Sequence, residues 1–319
     1  MPPVRRAVID VGTNSVKLLV AEVAGRDVRP VWEESKQTRL GQGFFETRRL
    51  QAGPITATAE AVAGFAARAR REQAGSVRVI ATSAAREAVN GTDLTSAIER
   101  CSGLRVEIIS GEQEADWAFQ GVTTDPALAR SPLLIFEAGG GSTQLILGHG
   151  GQTDFRQSVP LGTVRLLAAA TRHDPPRPEE LAACRNQVRD FLRKEVLPGL
   201  EPAMRREAKF HADGGEVQLV GTGGTASILG CMEARLDTFD RARLEATRLS
   251  RQRLNWHVER LWSLSLEARK QLVGLPKNRA DVILTGAVIY EAVMEECRFH
   301  ELRLSTRGLR FGALLADRV

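Results

Sequence analysis

The amino-acid sequence predicts an α/β protein made of two similar domains. Apolar, strand-like segments alternate with alanine-rich helical segments through the first half of the chain. The length of 319 residues favours two domains, because one domain commonly takes about 100–200 residues. In addition, one hairpin pattern, an acid followed by a glycine turn and a serine, occurs twice. We therefore expect a duplicated domain whose two copies face each other across a cleft.

The two hairpins agree at polar as well as apolar positions. A shift of 127 positions (137 minus 10) superposes acid, glycine, serine and leucine on their counterparts: Asp10 on Glu137, Gly12 on Gly139, Ser15 on Ser142 and Leu18 on Leu145. Chance similarity between two apolar hairpins is the alternative. The agreement of the polar positions favours duplication.

In the first half, the hairpin strands surround the turn Gly12–Ser15. Ser110 and Gln113 have the spacing of a capping box, which predicts a helix start. The expected elements are strands at 7–11, 16–20, 77–82 and 106–109 and helices at 56–74 and 112–120.

The second half repeats this alternation of strands and helices and then becomes mainly helical. Pro178 and Pro198 bound one predicted helix, and Ser250 and Ser265 are predicted N-caps. The expected elements are strands at 133–136, 145–147, 217–220 and 302–305, and helices at 178–196, 278–297 and from Gly308 onward. Loops are expected at 150–151, 173–178 and 213–215.

The composition of the chain and the spacing of its cysteines and histidines argue against several classes of protein. The four cysteines and five histidines lack the spacings of a zinc site or a disulfide framework. The chain starts without a secretory pattern, and no uncharged apolar run approaches the ~18 residues that span a bilayer. We expect a soluble, cytoplasmic protein that binds neither membrane nor nucleic acid. The net charge of +5 and the pI near 9.3 favour a polyanionic partner, with a merely arginine-rich surface as the alternative.

Three glycine-rich turns are candidates for phosphate binding: 12–15, 139–143 and 221–225. Backbone N–H groups approach a phosphate oxygen closely where no side chain intervenes, so turns of glycine with Ser or Thr recur as phosphate sites. Asp10 and Glu137 end the strands that lead into the first two turns. The alternative is hairpin glycines that bind no ligand.

Several motifs together carry a family resemblance. The segments IDVGTNSVKLLVAEV, GGGSTQLILG and VGTGGT resemble the sugar kinase and actin superfamily, which implies two actin-like (ribonuclease H-like) domains with the active site in the cleft between them. The segments ATSAAREA (81–88), EIISGEQEADWAFQGV (107–122), GLPKNRADVILTGAVI (274–289) and STRGLRFGALL (305–315) resemble the Ppx/GppA phosphatase family, in its short two-domain form.

The resemblance implies domain boundaries and an activity. It implies domains at 1–124 and 125–305, with a final helix in 306–319 that packs back on the first domain. The implied reaction removes the terminal phosphate of inorganic polyphosphate or of guanosine pentaphosphate, a nucleotide of the stringent response, with Mg²⁺ or another divalent cation. Polyphosphate is the preferred substrate, because the basic balance and Arg68, Arg70, Arg71, Arg86 and Arg279 suit a long polyanion. The oligomeric state is not determined by the resemblance, and a homodimer is one of the states left open.

The same resemblance assigns roles to individual residues. Glu114 matches the family's catalytic base, and Arg86 matches an arginine that reaches substrate phosphate, a task that suits a planar fork of donors. The alternative for Glu114 is a carboxylate that only complements the helix dipole. The alternative for Arg86 is a solvated surface arginine. Further phosphate-binding positions are Thr13, Asn14, Ser15, Lys17, Gly139, Gly140, Gly141, Ser142, Thr143 and Gly223, and the metal positions are Asp10, Glu137 and Gln144.

The chain departs from the family pattern D-I-G-G-G-S-T-E at the second turn. Glu137 replaces the aspartate, Ala138 the isoleucine and Gln144 the final glutamate, so one methylene is added and one charge is lost. These changes predict weaker metal binding. For the same reason, a catalytically weakened protein that senses polyphosphate or guanosine tetraphosphate is a second alternative function. A sugar or acetate kinase is the third.

Overall fold

The computed structural model of the chain describes residues 2–210 and 216–316. The chain divides into two compact units. Unit 1 takes the described residues of Met1–Thr124 and Gly308–Val319, and unit 2 takes those of Asp125–Arg307. Each unit combines one mixed sheet with helices, so the predicted α/β class is confirmed.

Unit 1 is built on a five-stranded sheet with the order β3-β2-β1-β4-β5. The first three strands form an antiparallel meander, and β4 and β5 join parallel to β1. The strands are β1 (Val4–Val11), β2 (Ser15–Ala24), β3 (Asp27–Gln37), β4 (Ser76–Ala81) and β5 (Val106–Ile108). The helices are α1 (Phe44–Thr47), α2 (Ala52–Arg71), α3 (Ser83–Glu87), α4 (Gly91–Ser102) and α5 (Gly111–Val122).

Alternation along β1 gives the sheet two buried faces, because successive side chains of a strand point to opposite sides. Ala7, Ile9 and Val11 belong to a core shared with α2 and α4. Val8 belongs to a second core on the other face, shared with Trp117 of α5. The alternation places Asp10 on the same face as Val8.

Unit 2 is built on a six-stranded sheet with the order β10-β11-β9-β6-β7-β8. Its strands are β6 (Leu133–Ala138), β7 (Thr143–His149), β8 (Gln152–Val159), β9 (Gln218–Gly221), β10 (Arg248–Ser250) and β11 (Glu301–Leu304). Read from β8 to β11, this is the pattern of unit 1, an antiparallel meander followed by two parallel strands.

The helices of unit 2 surround this sheet, and a last helix returns to unit 1. They are α6 (Thr163–Ala170), α7 (Pro178–Phe191), α8 (Leu197–Phe210), α9 (Gly223–Glu233), α10 (Arg241–Ala246), α11 (Arg251–Ser263), α12 (Leu266–Arg269), α13 (Ile283–Glu296) and, in unit 1, α14 (Leu309–Leu315). No helix within residues 2–210 and 216–316 is both long and apolar enough to cross a membrane.

The repeated hairpin is present in the structure with the same register in both copies. Asp10 pairs with Lys17 across β1 and β2, and Glu137 pairs with Gln144 across β6 and β7. Each following strand pair shifts register at the same relative place, between Val20 and Ala21 and between Leu147 and Gly148. These positions differ by the same 127 residues (147 minus 20). The two hairpins lie in separate sheets, as duplication requires.

Two helix predictions were wrong in extent. The helix predicted to end before Pro198 continues through a π turn (Leu192–Val196) into α8. Proline lacks an N–H group, so it is tolerated at the start of a helical segment, where that donor would have no partner. The helix predicted from residue 278 begins at Ile283, after a 3₁₀ turn, and it is buried all round rather than on one face.

One local prediction also needs correction. Ser110 Oγ accepts the N–H of Gln113 at 3.1 Å, but the Gln113 side chain donates to Glu107, so the capping box is only half formed. The third glycine turn forms the junction between β9 and α9. Ser250 and Ser265 are N-caps, as predicted. The loop predicted at 213–215 lies outside the described residues.

Candidate active site

The first turn presents two backbone donors. Gly12 N–H donates to Ser15 O at 3.1 Å and closes the turn. The carbonyl of Thr13 accepts from Gly41 N–H at 2.7 Å, and the carbonyl of Asn14 accepts from the N–H groups of Thr38 and Arg39. No acceptor among the described residues takes the N–H groups of Thr13 and Asn14. Two adjacent amides of this kind form a small concavity that attracts anions.

Asp10 ends β1 beside this turn and is 8% exposed. Its Oδ1 is buried without a hydrogen-bond partner among the described residues. Burial raises the pKa of the Asp10 carboxyl, although the charges of Lys17 and Arg310 act in the opposite direction. A buried carboxylate oxygen that no protein donor satisfies is costly in an apolar environment, and it is the ligand type that hard divalent cations bind. Asp10 therefore fits its predicted role as a metal ligand.

Arg86 and Glu114 are in contact within unit 1. Arg86 follows β4 on the short helix α3, and Glu114 lies in the first turn of α5. Arg86 Nη1 donates to Ile109 O at 2.8 Å and to Glu114 Oε2 at 3.2 Å. Nε and Nη2 of Arg86 bond to no described residue, so they are available to an anion. The candidate catalytic base, Glu114, is therefore in direct contact with Arg86, a candidate phosphate-binding residue.

The second turn repeats the first and adds a serine hydroxyl. Gly139 N–H donates to Ser142 O at 2.9 Å, while the N–H groups of Gly140, Gly141 and Ser142 find no acceptor among the described residues. The prediction that Gly139 N–H binds phosphate therefore conflicts with its place inside the turn. Thr143 is also engaged, because its hydroxyl donates to Leu161 O.

The carbonyls of the second turn are held by the start of α6. Gly139 O accepts from Thr163 N–H, and Gly140 O accepts from Val164 N–H, both at 2.9 Å. Arg165 Nε donates to Gly141 O at 2.9 Å. A β-carbon on Gly162 would collide with the backbone of Gly140 and Gly141. These contacts fix the peptide planes and leave the other N–H groups directed away from α6.

Glu137 is packed against the N-terminus of α9. Gly223 has a φ of +84°, and a β-carbon built there would lie 2.5 Å from Glu137 Oε1. The N–H groups of Gly223, Gly224 and Thr225 in the first turn of α9 have no acceptor in the part of the chain that the structure describes, and this helix end favours negative charge. Glu137 is half-buried, and its carboxylate oxygens remain suitable for a divalent cation.

Gln144, the third predicted metal position, is held through its amide nitrogen. It is 2% exposed, and its Nε2 donates to Ser142 Oγ at 2.9 Å and to Ser158 Oγ at 3.2 Å. An amide nitrogen donates hydrogen bonds and does not bind metal ions. The Gln144 side chain is therefore connected to the phosphate turn.

The structure thus forms two separate groups of predicted residues. Unit 1 contains Asp10, Thr13, Asn14, Ser15, Lys17, Arg86 and Glu114. Unit 2 contains Glu137, the turn 139–143, Gln144 and Gly223. Gly162 and Ser158 also support the second turn, and neither was predicted as a site residue. Pro160 and Gly162 are a detectable turn signal in the sequence, whereas nothing in the sequence marks Ser158.

A further cluster lies at the other end of β7. His149 Nδ1 is 2.6 Å from Glu207 Oε1 and 3.5 Å from Asp154 Oδ2. One ligand atom from each residue lies within 4.8 Å of the others. Spacing in the sequence could not reveal this group, because its members come from β7, β8 and α8.

Comparisons with known proteins agree over nearly the whole chain. Residues 19–318 match the sequence model of the Ppx/GppA phosphatase family. Exopolyphosphatase 2 of Mycobacterium tuberculosis is 32% identical over 305 residues, which cover 92% of this chain and 91% of that protein. The crystal structure of the Aquifex aeolicus member of the Ppx/GppA family has a TM-score of 0.78 at 26% identity and covers 98% of this chain and 97% of its own. An exopolyphosphatase from Cytophaga hutchinsonii has a TM-score of 0.82 over 97% of this chain and 96% of its own, and at 24% identity this likeness shows the fold alone.

Proposed function

Since the chain belongs to the Ppx/GppA phosphatase family and is a phosphoanhydride hydrolase of that family, we propose that it releases orthophosphate from the end of inorganic polyphosphate. The substrate class is polyphosphate or a guanosine polyphosphate. The preference for polyphosphate is supported by the relative from Mycobacterium tuberculosis, which is named an exopolyphosphatase. The net charge of +5 adds support, because it favours a long polyanion.

The observation that carries the proposal is the pair of matched turns. Each turn uses its first N–H internally, and the next N–H groups, at Thr13 and Asn14 and at Gly140 and Gly141, have no acceptor within residues 2–210 and 216–316. Unsatisfied donors beside a carboxylate suit a ligand that brings phosphate oxygens and a cation together. We assign each of these turns to phosphate binding.

In the proposed reaction, Glu114 orients a water molecule and accepts its proton as the water attacks the terminal phosphorus. The bond between that phosphorus and the bridging oxygen breaks, and the rest of the chain leaves with the bridging oxygen. The free Nε and Nη2 donors of Arg86 bind the equatorial oxygens, for which a planar fork of donors is suited. Most of the catalysis is positioning and charge stabilisation, so it requires no covalent intermediate.

Asp10 in unit 1 and Glu137 in unit 2 each offer carboxylate oxygens that suit a divalent cation such as Mg²⁺. The cation supplies positive charge that offsets the charge of the phosphates. Asp10 and Glu137 contribute hard oxygen ligands, whereas the Gln144 amide nitrogen faces two hydroxyls. The number of charged ligands is therefore lower than in the pattern with a glutamate at this position, and we expect weaker cation binding.

Two alternative functions remain to be separated by experiment. Guanosine pentaphosphate hydrolysis uses the same chemistry on a different polyphosphate. A binding protein with weakened chemistry is favoured by the replacements at Glu137 and Gln144, which alter the acids beside the second turn.

The test supplies polyphosphate and guanosine pentaphosphate separately, at equal concentration of substrate termini and with Mg²⁺, and measures orthophosphate release. The proposal expects faster release from polyphosphate. Faster release from guanosine pentaphosphate would reverse the substrate assignment. Binding of either ligand without release under Mg²⁺, Mn²⁺ or Zn²⁺ would support the sensor.

A further inference from the structure

The side chain of Gln144 connects two hydroxyls in unit 2. Gln144 pairs with Ser158 across β7 and β8, and its Nε2 donates to both Ser142 Oγ and Ser158 Oγ. Gln144 and Ser142 are 2% and 5% exposed, so water competes little for these bonds. The contact joins a buried amide to the hydroxyl of the phosphate turn.

The direction of this hydrogen bond decides what the Ser142 hydroxyl can offer. A serine hydroxyl has one proton and two lone pairs, whereas an amide NH₂ group only donates. Ser142 Oγ uses a lone pair for Gln144, so its proton remains for another acceptor. Among residues 2–210 and 216–316, no acceptor takes that proton.

A carboxylate at position 144 would reverse this arrangement. Carboxylate oxygens only accept, so a glutamate would take the protons of Ser142 and Ser158. The lone pairs of Ser142 would then face an incoming anion, and a negative charge would stand two residues from Ser142. Both changes oppose phosphate binding unless a cation intervenes.

We propose that Gln144 is a positioning residue that directs the Ser142 hydroxyl proton toward a bound phosphate group. The turn then presents four donors, the hydroxyl of Ser142 and the N–H groups of Gly140, Gly141 and Ser142. This set binds the terminal phosphate of a polyphosphate with less dependence on a divalent cation. The inference rests on the proposed function, because it concerns the same phosphate-binding turn.

The test measures binding of inorganic tripolyphosphate by calorimetry in EDTA, with phosphate release monitored in parallel. Gln144→Met removes the donor without adding charge and should weaken binding about tenfold, the effect of losing one well-directed bond to a charged ligand. Gln144→Glu should weaken it about a hundredfold, because it also adds charge, and Mg²⁺ should recover part of this loss.

A double-mutant cycle separates positioning from a general structural effect. In a Ser142→Ala background, Gln144→Met should change tripolyphosphate affinity less than twofold, because the hydroxyl that Gln144 directs is gone. An equal loss in both backgrounds would overturn the inference, and so would tighter binding by Gln144→Glu in EDTA. If Gln144→Met does not fold, Gln144→Leu, which also removes the donor without adding charge, provides the same cycle.

The result also distinguishes this inference from the proposed function. Wild-type protein that binds tripolyphosphate and releases phosphate with Mg²⁺, but shows additive effects in the cycle, removes only the role of Gln144. Wild-type protein that binds no tripolyphosphate in either EDTA or Mg²⁺ contradicts both.

Discussion

Arg86 Nη1 lies 3.2 Å from Glu114 Oε2, and the Glu114 side chain is 10% exposed. The same nitrogen donates to Ile109 O, so Arg86 is anchored to the backbone just before α5. Glu114, the candidate base, is therefore held by Arg86, to which we assign phosphate binding. A phosphate that binds the free donors of Arg86 is brought near the Glu114 carboxylate without a rearrangement of either side chain.

Glu114→Gln should reduce phosphate release by about 10²–10⁴-fold, because the amide keeps the shape and still accepts from Arg86 but takes no proton from water. Polyphosphate binding should persist. The measurement is single-turnover phosphate release together with calorimetric binding. Glu112→Gln is the matched control, an exposed carboxylate in the same helical turn, and should retain activity. Full activity of Glu114→Gln would remove Glu114 from the reaction.

Asp10→Asn should raise the thermal midpoint in EDTA by roughly 2–4 °C, about 1 kcal/mol. The pKa of Asp10 is raised by burial, so folding favours the protonated carboxyl and ionisation at pH 7 opposes folding. A neutral amide removes that cost. Wild-type protein should gain stability from Mg²⁺ by mass action, and the variant should not.

Differential scanning calorimetry with and without Mg²⁺ checks this expectation. Asp27→Asn, an exposed position on β3, is the control and should respond to Mg²⁺ as wild type does. A lower midpoint for Asp10→Asn in EDTA would contradict the account of an unsatisfied buried charge.

Gly223→Ala should destabilise the protein by about 1–3 kcal/mol, the usual cost of a strained backbone conformation. The residue has a φ of +84°, and the new methyl group would lie 2.5 Å from Glu137 Oε1. Glu137 must move, so activity should also fall. Urea denaturation gives the free energy of unfolding.

Gly64→Ala is the matched control for this substitution. Gly64 is exposed inside α2 with open space around it, and alanine there should stabilise by about 0.5–1 kcal/mol. Equal effects at the two positions would mean that the contact between Gly223 and Glu137 has no energetic role.

The free energy of unfolding should fall as the pH drops below about 6.5, the usual pKa of histidine in an unfolded chain, because of His257. Burial lowers the pKa of His257, although its bond to Glu233 at 2.7 Å raises it. The unfolded chain therefore binds the proton more tightly than the folded chain, and acid favours unfolding by at most ~1.4 kcal/mol per pH unit.

Urea denaturation between pH 7.5 and 5.5 measures this dependence. His257→Gln should flatten the decline, whereas the exposed His300→Gln should leave it unchanged. An identical pH dependence in wild type and His257→Gln would rule out His257 as its source.

The family, the α/β class and the hairpin repeat could be predicted from the sequence, because each depends on local patterns that survive folding. The solved relatives confirm the actin-like fold that the resemblance implied. The position of Asp10 at the end of a buried strand followed directly from its apolar neighbours. Alternation then determined which face it occupies.

Contacts between distant segments could not be predicted in this way. The bond between Gln144 and Ser158 depends on the register of β7 and β8, and one residue of slip would place Ser158 on the other face. The packing of Gly162 against the second turn likewise joins residues about 20 positions apart. Fragment-level reasoning also missed the π turn at Leu192–Val196, because residue types there remain good helix formers.

The return of α14 to unit 1 has a consequence for biosynthesis. Phe311 and Leu314 of α14 complete the core that contains Val8, and Arg6 and Arg78 bond to carbonyls at the end of this helix. The sheet of unit 1, whose strands precede unit 2 in the sequence, therefore keeps part of one apolar face uncovered until α14 has been synthesised. Unit 2 is continuous in sequence and has all its strands earlier. The order in which the two units can be completed during translation is thus the reverse of the order in which they begin.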